Sequence, residues 1–230
     1  MRQLEERIKE RFEEVAHYGS WREWIPEDDF QYRELVGFLG NIDGMYVLDV
    51  GCGKGAFSRR LAEAGARVAG IDITGKFVEI AQQNMPYGIF SEASATEIPF
   101  DDSQFDAVFS FEVLEHIPDT EEAIAEMVRV LKPGGKLLII DKNILGIHPQ
   151  YGIPLSLYKR YMEVRDRWMY PRDFPFREKW FVPSRILRLM RKYCSWADMD
   201  YLVGGRGGRT ETLLRLMPFL SMDVAWMGKK

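Results

Sequence analysis

The chain predicts an α/β sandwich built on a mostly parallel sheet, and three observations carry that expectation. Apolar runs of the kind found in buried strands alternate with segments of helical periodicity between residues 46 and 141. The first run, Val47-Leu48-Asp49-Val50, leads directly into Gly51-Cys52-Gly53-Lys54-Gly55, a turn that no side chain crowds. A second run, 67–72, again ends in an acid, Asp72. Strand, glycine turn and helix make the first half of a βαβ unit, and bare backbone at the turn lets a ligand approach.

The elements follow in order. Leu4, Ile8, Phe12 and Val15 share one face of a first helix, which packs on the domain or covers its ligand site. Residues 17–30 read as a loop rich in aromatics (Tyr18, Trp21, Trp24, Phe30), where His17 needs no role. A second helix spans 31–39 and ends at Gly40. After the glycine turn come a helix over 56–64, the strand 67–72, a helix over 74–84 broken by Met85-Pro86, and a weaker strand at 88–92. A strong strand occupies 105–111. Asp119 caps the next helix with Glu122 three residues on, and Ile124, Met127, Val128 and Leu131 have helical spacing. Lys132-Pro133-Gly134-Gly135 stops it, and 136–141 is a fifth strand. The alternation then breaks: residues 144–182 form an insertion too aromatic to be a linker. A helix over 183–193, a strand over 197–203, a glycine-rich loop at 204–208 and a last strand at 222–227 complete the chain.

A hydrophobic content of 46% excludes disorder for these 230 residues. Two cysteines, Cys52 and Cys194, exclude a disulfide framework and a cysteine-rich zinc site and fit a reducing, cytoplasmic compartment. The charged N-terminus is not a signal peptide, and no uncharged apolar run reaches the ~18 residues that a membrane span needs. Charge is uneven: residues 1–150 carry 15 basic and 27 acidic side chains, whereas 151–217 carry 14 basic and 7 acidic. A basic segment on an acidic body suits an anionic substrate, an anionic surface, or a lobe packed on its own acidic core. An acidic chain with no recognisable RNA-binding module argues against nucleic acid.

Three ligands compete for the glycine turn. A P-loop needs G-x-x-x-x-G-K-[ST], and Lys54 is in the wrong place. A dinucleotide fingerprint needs G-x-G-x-x-G, and the third glycine here comes one residue early. S-adenosylmethionine has no phosphate, but needs close backbone approach and an acid for its ribose, where Asp72 is well placed. The turn alone leaves these open. Five motifs in order decide it: V-L-D-V-G-C-G-K-G, G-I-D at 70–72, A-T-E-I-P-F at 95–100, F-D-A-V-F-S-F-E-V-L-E-H-I at 105–117 and V-L-K-P-G-G-K-L-L-I at 130–139. Over about residues 45–142 the chain resembles the class I S-adenosylmethionine-dependent methyltransferases, in particular the small-molecule enzymes of the methyltransferase type 11 group that includes ubiquinone-biosynthesis O-methyltransferases.

The resemblance implies a Rossmann-like fold: a seven-stranded, mostly parallel sheet with helices on both faces, here with an inserted aromatic lid. It divides the chain into an N-terminal helical cap (1–40), a cofactor-binding core (41–143), an acceptor lid (144–182) and a C-terminal helix and strands completing the sheet (183–230). It also implies roles. Asp49 would orient the turn and reach the amino group of the cofactor's methionine tail. Gly51 and Gly53 would line that tail, with Cys52 between them as a small turn residue. Asp72 would hold both ribose hydroxyls, Ile73 would pack on adenine, and Ser94 and Ala95 would meet the adenine edge. The family often has Asp at position 94, so Ser94 is a departure. Backbone at Phe111 would face the ammonium of the tail.

Methyl transfer from a sulfonium is an in-line displacement in which the protein mainly aligns the acceptor and excludes water. A hydroxyl or amine acceptor also loses a proton. His116, after the fourth strand, is the first candidate base, and His148, after the fifth, the second. Each could instead be structural. Glu112 and Glu115 could meet a metal or a cation, but no histidine–aspartate cluster at ligand spacing accompanies them, so no metal is expected. The aromatics and arginines of 144–182 suit a small acceptor that is anionic or lipid-linked, or contact with an anionic membrane surface. A nicotinamide-dependent oxidoreductase and a cofactor-binding protein without turnover are the alternatives.

Overall fold

The computed structural model describes residues 2–16, 22–165, 167–203 and 210–230; His17, Tyr18, Trp21 and the glycine-rich 204–208 lie outside them. Helix α1 (Arg2–Val15) precedes α2 (Phe30–Leu39), which Asp29 caps by accepting the amides of Gln31 and Tyr32. Then come β1 (Tyr46–Val50), α3 (Ala56–Glu63), β2 (Arg67–Asp72), α4 (Gly75–Asn84), β3 (Ile89–Glu92), β4 (Phe105–Phe111), α5 (Thr120–Val130) and β5 (Leu131–Lys142). Helices α6 (Leu155–Val164) and α7 (Pro183–Tyr193), strand β6 (Trp196–Tyr201), helix α8 (Glu211–Leu216) and strand β7 (Asp223–Lys229) follow.

All seven strands form one sheet in the order β3-β2-β1-β4-β5-β7-β6. The first five pair in parallel, and β7 runs antiparallel to both β5 and β6. The period of two in each strand explains the two cores. Leu48, Val50 and Val108 point to one face, where α5 and α7 bring Ile124, Met127, Ile186 and Met190. Val47, Ala107 and Phe109 point to the other, where α2 and α3 bring Leu35, Leu39 and Leu61. This is the Rossmann-like sheet with helices on both faces.

Three details differ from the sequence pattern. Strand β5 starts at Leu131, not 136: its register against β4 jumps from Phe105↔Leu131 to Ala107↔Lys136, so the Lys-Pro-Gly-Gly segment is a bulge and α5 passes straight into the strand. The aromatic insertion carries a helix, α6, and a second short helix, α8, lies between β6 and β7. A third apolar cluster joins Ile8 of α1 to Tyr170 and Phe176 of the insertion, with Leu4, Phe12, Met169 and Phe174 around it. Arg11 Nε donates to the Met169 carbonyl at 2.8 Å, which ties the same two segments together.

Candidate active site

A cavity of about 460 Å³ opens beyond the carboxyl ends of β1, β2, β4 and β5, where open α/β sheets place their ligands. Asp49, Gly51, Cys52, Gly53, Asp72, Ile73, Ser94, Ala95, Phe111 and His116 all line it. The turn that forms its floor is held from beneath. The Gly51 and Cys52 amides both donate to the Ile71 carbonyl, at 2.8 and 2.9 Å. Gly51 (φ +79°) lies so close to Val113 that a Cβ there would sit 2.2 Å from a valine methyl. Gly53 (φ +50°) differs: a Cβ would meet no atom within 4 Å, so the space beside its backbone is open.

The two acids have distinct surroundings. Asp49 is 3% exposed and accepts the Ser58 hydroxyl at 2.7 Å. Burial pushes its carboxyl up to about 7, the Ser58 bond works against this, and the nearby Asp72 adds to it. Asp72 accepts the Gly53 amide on one oxygen and the Thr74 amide on the other, both at 2.9 Å. Burial raises its pKa too, against the pull of those two backbone bonds. Each Asp72 oxygen keeps a free lone-pair direction for a diol. Cys52 is buried, and burial followed by the field of Asp49 and Asp72 raises its thiol well above the ordinary value, which disfavours the thiolate.

Ser94 Oγ shares a hydrogen with Thr96 Oγ1 at 2.8 Å, and Thr96 Oγ1 donates to Glu5 of α1 at 3.1 Å. A carboxylate thus reaches the Ser94–Thr96 hydroxyl pair from a different element, α1. Two buried acids, an open glycine backbone, and apolar Ile73 and Ala95 beside a hydroxyl pair form a donor and acceptor set that fits a nucleoside with a charged amino-acid tail.

The other end of the cavity is polar and crowded. Glu112 follows β4 with φ +57°, a left-handed conformation that costs a non-glycine residue about 1 kcal/mol or more. The short 3-10 turn Leu114–His116 is pinned to β5, because the Glu115 amide donates to Asp141 at 3.1 Å. Lys142 Nζ reaches Glu115 at 2.5 Å and Glu112 at 3.4 Å. Burial opposes the lysine charge, but Glu115 first and then its acidic neighbours raise its pKa overall. Burial also raises Glu115, with Lys142 pulling the other way. His116 is neutral: burial pulls its pKa down to about 4 against the field of Glu178. Its Nε2 is 3.6 Å from Glu115 and 3.9 Å from Glu178, and Nδ1 is 3.0 Å from the Tyr170 hydroxyl. Glu178, from the insertion, is held by the Trp168 indole N–H at 2.6 Å and by Lys159 at 3.5 Å.

The fold therefore assembles a cluster that the sequence spacing did not show. Glu115, His116 and Glu178 bring one ligand-type atom each within 4.8 Å of one another, with the Lys142 ammonium among them as countercharge. His148 is not brought to this cavity. It packs between Tyr151 and Tyr158, at ring distances of 4.6 and 4.3 Å, and its Nδ1 accepts the Gln150 amide. The cause is Asn143, whose side-chain amide donates to the carbonyls of Phe219 and Ser221 and turns the chain away just after β5. Glu5, Phe12, Lys142, Tyr170 and Glu178 were absent from the sequence-based set. The helical face holding Phe12 and the acceptor lid at 144–182, which holds Tyr170 and Glu178, were the signals that hinted at three of them.

A family model described as a methyltransferase domain matches residues 48–139. Among curated proteins, the demethylmenaquinone methyltransferase of Renibacterium salmoninarum is 33% identical over 191 residues, covering 82% of this chain and 73% of its own length. The ubiquinone biosynthesis O-methyltransferase of Pseudomonas fluorescens Pf0-1 is 37% identical over 58% of this chain and 61% of its own. Among solved structures, an S-adenosylmethionine-dependent methyltransferase from Thermotoga maritima, titled a possible histamine N-methyltransferase, superposes with a TM-score of 0.65 at 18% identity, covering 97% of this chain and 99% of that one. Magnesium protoporphyrin IX methyltransferase from Synechocystis, with bound S-adenosylhomocysteine, gives 0.64 at 18% identity, covering 99% of each. At these identities the structural likeness speaks for the fold. The dinucleotide oxidoreductase and the cofactor-binding protein without turnover are not favoured. With a named methyltransferase aligned over nearly three quarters of its own length, and the family model falling on the strands and glycine turn that build the cavity, the chain belongs to the class I S-adenosylmethionine-dependent methyltransferases.

Proposed function

We propose that the chain methylates a hydroxyl oxygen of a small, largely uncharged aromatic acceptor. The observation that carries this reading is the continuity of the cavity: the nucleoside cradle at Gly53 and Asp72 runs into a chamber walled by Phe12, Val113 and Met169, with neutral His116 and the carboxylates of Glu112, Glu115 and Glu178 at its end. Bound S-adenosylmethionine supplies an activated methyl group on a positively charged sulfur. The residues of the chain do the rest. Asp72 and the turn hold the nucleoside and Asp49 meets the ammonium of the tail. Phe12 and Met169 exclude water, and the polar end takes the proton that a hydroxyl acceptor gives up. The relatives' names, demethylmenaquinone methyltransferase and ubiquinone biosynthesis O-methyltransferase, support a quinone-type ring.

An anionic acceptor is less well supported. Arg172 and Arg177 donate to backbone carbonyls of their own segment, Arg165 lies over Tyr161, and none of the three lines the cavity. Helix α1 and residues 144–182 act together as the lid, on the strength of their shared cluster. Leu157, Tyr161 and Val164, at helical spacing on α6, are each more than half exposed. With exposed Arg160 and Arg165 beside them, they favour contact of the lid with an anionic membrane surface, a source of lipid-like acceptors. No helix among the described residues is long and apolar enough to cross a membrane.

The test is a panel of catechols, hydroquinones, aromatic amines and carboxylates, each incubated with S-adenosylmethionine. Methyl ethers, detected by mass spectrometry together with S-adenosylhomocysteine, are the expected products. Methylation of amines or carboxylates alone would overturn the oxygen assignment.

A further inference from the structure

The polar end of the cavity contains more structure than a lone histidine needs. Tyr170 is 1% exposed, and its hydroxyl has one hydrogen-bond partner among the described residues, His116 Nδ1 at 3.0 Å. A buried phenol hydrogen has to be donated somewhere, and Nδ1 accepts it only when that nitrogen carries no hydrogen of its own. The imidazole hydrogen is then on Nε2, and Nε2 points towards Glu115 and Glu178 at 3.6 and 3.9 Å. The opposite tautomer fails twice. It leaves the phenol hydrogen without an acceptor, and it turns a nitrogen lone pair towards two carboxylates. The ring itself is held: Phe12 meets it edge-on at 5.1 Å, and Tyr170 packs against Phe174 and Phe176.

This leaves the question of which atom takes the proton. Glu115 lines the cavity, its Oε1 is paired with Lys142 at 2.5 Å, and its Oε2 is buried without a partner among the described residues. An unpartnered carboxylate oxygen in such a place is costly unless something donates to it. Nε2 lies 3.6 Å from Glu115 Oε1 and 3.9 Å from Glu178 Oε1, too long for direct hydrogen bonds, so its N–H is left to donate to an oxygen in the cavity that His116 lines.

We propose that Tyr170, carried by the inserted segment, fixes His116 in its Nε2–H form, so that the imidazole donates to the acceptor oxygen and Glu115 takes the acceptor's proton. Tyr170 is on this account a positioning residue. The inference rests on methyl transfer to a hydroxyl. As the acceptor oxygen bonds to the methyl carbon, the carbon–sulfur bond breaks with its electron pair remaining on sulfur. The hydroxyl hydrogen passes to the Glu115 carboxylate, which becomes a neutral acid, and the sulfonium charge is discharged. Burial raises the Glu115 pKa, which makes it a better proton acceptor than an exposed glutamate.

Long-range nitrogen–proton NMR of histidine-labelled protein saturated with S-adenosylhomocysteine reads the tautomer directly, with His116 assigned by its loss in His116→Gln. The expected spectrum shows Nε2 protonated at neutral pH, and Tyr170→Phe, which keeps the ring packing, shifts it towards Nδ1–H or a mixture. An Nδ1–H signal in the wild type, or a spectrum unmoved by Tyr170→Phe, overturns the proposal. Turnover on the phenol that the acceptor panel yields gives a second reading. A glutamine at 116 can donate but cannot act as a base, so His116→Gln is expected to lose about tenfold in kcat and Glu115→Gln about a thousandfold. A loss in His116→Gln as deep as in Glu115→Gln overturns the assignment of the base. The spectrum needs no acceptor, so a failed panel would sink the proposed methylation without touching the tautomer.

Discussion

Gly53 donates its amide hydrogen to Asp72 across 2.9 Å, so the glycine turn and the end of β2 hold each other in place. The Thr74 amide occupies the other carboxylate oxygen. An asparagine at 72 has one acceptor oxygen for two amide donors and turns an NH₂ against the second, at a cost of about 1–3 kcal/mol. Asp72→Asn is therefore expected to bind S-adenosylhomocysteine at least tenfold more weakly and to lower Tm by several degrees. Calorimetry and thermal unfolding check both, and wild-type affinity in this variant would refute the role of Asp72.

The two left-handed glycines of the turn should respond unequally to alanine. At Gly53 the added methyl meets open space, and only the backbone conformation is penalised, by about 1–2 kcal/mol. At Gly51 the methyl also runs into Val113, which adds about 1–3 kcal/mol of overpacking. Thermal unfolding should show a drop in Tm for Gly51→Ala about twice that for Gly53→Ala. Equal drops would mean that Val113 moves aside freely.

Asp49 makes cofactor affinity depend on pH. Its folded-state pKa of about 7 lies above the ordinary 3.8, so the unbound fold prefers the proton, and the stability that this lends fades as pH rises from about 4 to about 7. A ligand ammonium prefers the ionised carboxylate. The expected affinity for S-adenosylhomocysteine is thus flat above pH 7 and falls by up to tenfold per unit below it. Titrations between pH 8 and 5.5 test this, with Asp49→Asn expected to flatten the profile.

Glu5 brings a carboxylate from the first helix to the Ser94–Thr96 hydroxyl pair. Its surroundings are partly solvated, so Glu5→Gln should change stability by less than about 0.5 kcal/mol. A charged hydrogen bond to the ligand is worth about 1.5 kcal/mol or more, and cofactor affinity should fall about tenfold. A loss of stability with unchanged affinity would make Glu5 a helix anchor only.

What could be read beforehand was whatever local pattern encodes. The unbroken burial of β1, the three glycines after it and the acid ending β2 are written in local sequence, and they place half of the cavity. The other half is long-range. Tyr170 meets His116, Glu178 faces Glu115, and Glu5 reaches Thr96 only because α1 and the insertion pack on each other through Ile8 and Phe176. No periodicity announces such a contact. His148 misled for a related reason: nearness in sequence to the end of β5 suggested the cavity, but the buried Asn143 side chain diverts the chain within five residues.

Strand β7 follows β6 in the chain yet lies between β6 and β5 in the sheet. A ribosome therefore releases β6 before there is any strand for it to join, while the apolar flank of β5 stays unzipped. Each nascent molecule passes through an interval with two exposed strand edges, which ends only when residues 223–229 emerge. Substitutions that slow the insertion of β7 should then lower the soluble yield from cells, even where the purified protein melts at the wild-type temperature.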